Sequence, residues 1–246
     1  MTESLKDKIK DSPFMGFFDH LDDLRGRLIR SIIAVVIASL LMFNYADALL
    51  KFLIKPVGKL IFTSPADAFL TNMYLSFFSG FVLVLPYVLF EFWQFVASAL
   101  KEKERSVVFF VCPISVVLFL IGASFAYFLV IPYSLKYLLS FSSDVFVPMI
   151  TAKSYLSFVG TMVLGFGVTF EMPLILYFLA RIGIATPAFL EQHRKYAVVI
   201  ILIISAVVTP PDLFSMIVMA VPLLILYEIS LLVIKWTYSK KNAQTF

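Results

Sequence analysis

A chain of 246 residues that is 61% hydrophobic and only 15% charged, with mean hydropathy +0.96, has too little polar surface to be solvated by water alone. The composition excludes a soluble globular domain, and the single cysteine, Cys112, excludes an internal disulfide. The net charge of +4 and a pI near 9.0 suit basic loops that orient a membrane protein, and no nucleic-acid partner is expected.

The first apolar run follows Lys6, Lys8, Lys10, Arg25, Arg27 and Arg30 and covers residues 28–45. It is longer than the apolar core of a signal peptide, about 7–15 residues. It therefore reads as an uncleaved span, although Ala46-Asp47-Ala48 mimics a cleavage site. Five more apolar blocks follow, at residues 72–100, 106–133, 154–180, 196–209 and 213–236. All should be helices, since an open strand in lipid leaves its backbone polar groups unpaired.

The connection at residues 46–71 carries Lys51, Lys55 and Lys59 on one helical stripe and predicts an amphipathic segment at the interface. Pro86, Pro113, Pro132 and Pro173 mark kinks or ends. Gly160, Gly165 and Gly167 allow close approach in the fourth block. The fifth block is only about 20 Å long at 1.5 Å per residue, short of a hydrocarbon core of about 30 Å. Fifteen Lys and Arg fall in the tails and even-numbered loops against five in the others, which places both termini in the cytoplasm. The expected fold is an all-α integral membrane protein: one domain, residues 1–246, of six transmembrane helices in a curved, cup-like bundle.

Catalytic hardware is sparse. His20 and His193 lie in polar segments, and HExxH, GxSxG, CxxC and glycine-rich phosphate loops are absent from the sequence. No enzymatic activity, catalytic residue, metal or cofactor is expected. Carboxylates draw more notice. Glu171 lies deep in the fourth block, Glu91 near the end of the second with Gln94, and Glu228 in the sixth. A carboxylate in lipid is costly, so each is functional, held by an interhelical hydrogen bond, or snorkelled to the interface. Asp22, Asp23, Glu102 and Glu104 stand near the cytoplasmic surface among Arg25, Lys101, Lys103 and Arg105. They suit a helix cap, a solvated face or a two-pronged grip on guanidinium groups.

At these residues the chain resembles the TatC family, the core and signal receptor of the twin-arginine protein translocase. His20-Leu21-Asp22-Asp23-Leu24-Arg25-Gly26-Arg27-Leu28 resembles the family pattern HLxELRxRL, and Ser64-Pro65-Ala66-Asp67-Ala68-Phe69 resembles SPxEAF. Phe92-Trp93-Gln94-Phe95 through Lys103-Glu104-Arg105 resembles WxFxxPxLxxxERR. Phe166-Gly167-Val168-Thr169-Phe170-Glu171-Met172-Pro173 is similar to FGxxFExP, Thr209-Pro210-Pro211-Asp212 to TPPD, and Pro222-Leu223 with Leu226-Tyr227-Glu228 to PLxxLYE. Six motifs fall in order along a six-span plan.

The resemblance implies a receptor in the bacterial cytoplasmic membrane that binds twin-arginine signal peptides of folded cargo. It implies single-span partners of the TatA and TatB type, an oligomer of TatBC-type complexes, and transport driven by the proton-motive force. Asp23 and Glu104 take the positions that grip the arginine pair. Phe95 packs on the peptide, Arg25 and Arg105 orient the acids, and Glu171 faces the cavity. Thr209 and Met216 fall where partner helices dock, with Met216 in place of a common Gln. Asp23 is one methylene shorter than the family Glu, and Glu91 is expected to widen the acidic surface in compensation. The alternative is a proton-coupled secondary transporter using Glu171 as carrier, a class that usually shows internal repeats; none is seen here.

Overall fold

The computed structural model describes residues 13–58, 60–98, 107–140, 149–183, 185–209 and 212–243. Helix α1 (Pro13–Met42) runs through a 3-10 turn, Phe43–Tyr45, into α2 (Ala46–Leu53). After a loop come α3 (Pro65–Ser98) and α4 (Val107–Phe125), which passes through a π-helical turn, Ala126–Val130, into α5 (Ile131–Leu139). The rest is α6 (Ala152–Thr169), α7 (Met172–Arg181), α8 (Pro187–Gln192), α9 (Arg194–Val208) and α10 (Leu213–Ala243). Among the described residues the β pairing is confined to one bridge, Ile61 with Thr151.

Five stretches are long and apolar enough to cross a membrane: His20–Leu53, Pro65–Ser98, Phe110–Leu139, Ala152–Arg181 and Leu213–Tyr238. The remaining apolar block is α9, whose 15 residues span about 22 Å, short as its sequence suggests. All six blocks are helical over nearly all of their described residues. Beyond the first block, Ala46–Leu53 continues as helix and extends that span; Lys55 falls in the turn beyond it, so the expected helical stripe of lysines does not form, and Lys59 lies outside the described residues. No Gly or Pro interrupts residues 43–47, and Ala46 keeps helical angles (φ −56°, ψ −42°), so nothing stops the helix there.

The prolines act unequally. Pro86, Pro113 and Pro222 lie inside continuous helices. Pro132 sits in the first turn of α5, one residue past the π turn, whose wider ladder accommodates a proline ring and its missing N–H. Pro173 sits in the first turn of α7, where its missing N–H costs nothing, and the fourth block breaks at Phe170-Glu171 just before it.

The chain forms two compact units, one of Met1–Leu50 with Asn72–Val116, the other of Lys51–Thr71 with Val117–Phe246. In the first, α1 and α3 run antiparallel and meet at Gly80, where a Cβ would lie 2.5 Å from the Ser39 backbone nitrogen. Buried Trp93 donates its indole N–H to Ser115 Oγ at 3.0 Å and ties α3 to α4.

In the second unit, close approach again falls at glycines. A Cβ on Gly167 would stand 2.5 Å from the Phe119 ring, and one on Gly165 would collide with Val208. Phe125, Phe166 and Phe170 pack with ring centroids 5.7–6.4 Å apart. Two tyrosines hold the end of α2: Tyr155 donates to the Leu53 carbonyl at 2.6 Å and Tyr127 to that of Phe52 at 2.8 Å. Gly183 (φ +84°) ends α7 in the left-handed region, and its N–H reaches the Ala180 carbonyl at 3.1 Å. Beyond it, Ala180, Ala185, Leu190, Leu231 and Ile234 form a small core.

Candidate functional site

The antiparallel pairing in the first unit brings the early turns of α1 against the last turns of α3. Tyr87, Glu91 and Phe95 recur every four residues along α3, so they share one stripe. On α1, Asp23, Arg27 and Arg30 are likewise spaced by four and three. The two stripes interlock through charge.

Arg27 donates Nε–H to both oxygens of Asp23, each at 2.9 Å, and its terminal nitrogen to Glu91 Oε2 at 3.1 Å. Arg30 approaches the same Oε2 at 3.4 Å. Tyr87 donates its hydroxyl to Oε1 at 2.8 Å. The side chain of Glu91 is 6% exposed and that of Arg27 12%, whereas Asp23 keeps 31% open. A turn away, the His20 ring stacks on Phe95 with centroids 4.3 Å apart. Ser98 Oγ lies 3.3 Å from His20 Nδ1 and donates to the Phe95 carbonyl at 2.7 Å.

Asp23, Glu91 and Phe95 are therefore brought together. Two expectations need correcting. Arg27 and Arg30 partner these acids, whereas Arg25 is exposed; a residue two positions along a helix points about 200° away, while one four along returns to the same face. Glu91 does not widen an exposed acidic surface, because its stripe on α3 is the one turned to α1 and the residue is buried. His20, Arg27 and Tyr87 belong to the cluster although sequence reasoning gave them no role. The i,i+4 spacing of Asp23 and Arg27 was the available signal. Glu104 and Arg105 lie outside the described residues.

In the second unit Glu171 is buried at the break between α6 and α7. Its carbonyl accepts from Leu174 and Ile175, both at 3.0 Å, and starts α7. Thr209 ends α9 with its hydroxyl turned onto the Ser205 carbonyl at 2.8 Å. Asp212 caps α10 through the Ser215 N–H at 2.7 Å, and Met216 is half-buried one residue on. Glu228 pairs with Arg194 at 2.9 Å, both side chains half exposed, so it holds helices together as an interhelical contact. Lys235 pairs with Glu191 and holds that carboxyl below the usual range. Among the described residues no three His, Cys, Asp or Glu side chains converge as a metal would require.

Comparison with known proteins bears on this arrangement. Residues 19–222 match the family model for TatC, the Sec-independent protein translocase protein. The TatC protein of Carboxydothermus hydrogenoformans is 39% identical over 238 residues, 95% of this chain and 98% of that one. That of Aquifex aeolicus is 39% identical over 236 residues, covering 93% and 98%. A crystal structure of the twin-arginine translocase receptor TatC is similar with a TM-score of 0.79 at 39% identity, covering 88% of this chain and 98% of that one.

Proposed function

The chain belongs to the TatC family of Sec-independent protein translocase proteins, and from that premise we propose that it is the signal-peptide receptor and core subunit of a twin-arginine translocase. The carrying observation is Asp23, a carboxylate fixed from behind by Arg27 yet about one-third open, beside the aromatic pair His20–Phe95. A carboxylate offers about four lone-pair sites, and Arg27 uses one on each oxygen. The outward pair remains for a second guanidinium, whose planar fork suits two parallel hydrogen bonds better than a lysine ammonium does.

In this reading Asp23, backed by Arg27, takes one arginine of the leader and Glu104 the other, with Arg105 flanking Glu104 and Phe95 packing on the peptide. Each charged contact contributes roughly 1.5–3 kcal/mol, enough for selective but reversible capture. Folded cargo then crosses the cytoplasmic membrane with TatA- and TatB-type partners that dock near Thr209 and Met216. Glu171 lies along that path, the receptor works as an oligomer with its partners, and the proton-motive force drives transport.

The test is leader binding to purified protein in nanodiscs. Changing both leader arginines to lysine should weaken binding by about tenfold or more. Equal affinity for the two leaders would overturn the reading.

A further inference from the structure

We infer that Glu91 is a positioning residue for leader capture: it supplies the countercharge for Arg27 and Arg30, and so leaves Asp23 negative toward an incoming guanidinium. The inference rests on the receptor reading above and deepens it. Four charged groups meet here, the carboxylates of Asp23 and Glu91 and the guanidiniums of Arg27 and Arg30. They balance. Without Glu91, two guanidiniums would stand behind one aspartate, and the site would repel a third.

The geometry is built for this division. Arg27 turns its stem-side Nε–H to Asp23 and a terminal N–H to Glu91, so neither carboxylate holds the whole cation. Tyr87 pins Oε1, which turns Oε2 to both arginines. Glu91 and Arg27 are nearly closed to solvent, where charge is poorly screened and acts at longer reach. Glu91 thus needs no contact with the leader to govern its affinity.

Charge compensation separates this role from a structural one. Leader binding is titrated at low salt for the wild type, Glu91→Gln, Arg30→Gln and the double variant, with arginine and lysine leaders. Glutamine keeps the shape and can still accept from Tyr87, but it carries no charge. Glu91→Gln should weaken binding of the arginine leader about tenfold at low salt, with a smaller deficit at high salt. Adding Arg30→Gln should restore affinity to within about threefold of wild type, because it removes the excess cation without rebuilding any hydrogen bond. An unchanged Glu91→Gln, or a double variant as weak as the single one, overturns the inference. Should Glu91→Gln fail to fold, Arg30→Gln alone still decides: it should bind the leader about two- to threefold more tightly, and equal or weaker binding overturns the inference. If the wild type does not distinguish arginine from lysine leaders, the receptor reading itself has failed. If it does and the Glu91 results are negative, only this inference falls.

Discussion

Asp22 and Asp23 are chemically identical neighbours with different surroundings. Asp23 faces α3 and is held by Arg27, whereas Asp22, 100° further round the helix, is exposed. Neutralising them should therefore have unequal effects. Asp23→Asn removes the outward lone pairs' charge and leaves Arg27 partly unpaired, so leader affinity should fall about tenfold or more. Asp22→Asn should change it by no more than about twofold. Fluorescence titration of a labelled leader checks both, and equal losses would assign the grip to the pair jointly. The acids were legible as candidates, and the resemblance put Asp23 in the gripping position, but the partners that hold it were not legible. The decisive partner, Glu91, stands 64 residues from Arg27, and the rotation of α3 against α1 that joins them is set by packing such as Gly80 on Ser39. Periodicity gives a helix its faces; only the neighbouring helix says which face is buried.

Helix boundaries show the same division between local and tertiary causes. Six apolar blocks were legible because burial in lipid demands length and hydropathy, both additive along the chain. The break at Phe170-Glu171 was foreshadowed by Pro173, yet Pro86 in a similar apolar context passes through α3 without ending it. A proline removes one N–H, and whether the helix then stops depends on what the neighbouring helices press against it. Here Gly122, Gly165 and Gly167 bring two other helices, α4 and α9, onto the end of α6. Gly167→Ala should be destabilising by about 1–3 kcal/mol, since Phe119 is almost fully buried and has no room to retreat. Tyr155→Phe should cost about 1–3 kcal/mol by leaving the Leu53 carbonyl without its buried donor. Thermal unfolding in detergent measures both, and an unshifted midpoint for either would refute the contact it tests. Glu171→Ala, at the break itself, should lower export of a folded twin-arginine reporter more than protein abundance, as measured side by side in cells. Collapse of abundance would instead make the residue a structural member of the turn.

At the scale of the whole molecule the six-span plan turns on α9, whose crossing of the bilayer decides on which sides the two ends lie. Its 15 residues span about 22 Å against a core of about 30 Å, a mismatch met by local thinning and by snorkelling of flanking charges. The side chains argue for crossing. Val199, Ile200, Ile203 and Val207 are all more than half exposed, an apolar face that water would not favour. Arg194 and Lys195 stand at one end, and α10 follows the other. Crossing also agrees with the charge asymmetry of fifteen against five, which calls for an even number of spans and both termini inside. Single cysteines in a Cys112→Ala background test this with a membrane-impermeant thiol reagent on intact cells. His193→Cys, before α9, should react only after permeabilisation, whereas Leu213→Cys, exposed just after it, should react from outside. Lys153→Cys should match Leu213→Cys, since two spans separate them from opposite ends of the same loop side. If His193→Cys and Leu213→Cys react from one side, α9 is a re-entrant or interfacial helix, the chain has five spans, and its termini face opposite compartments.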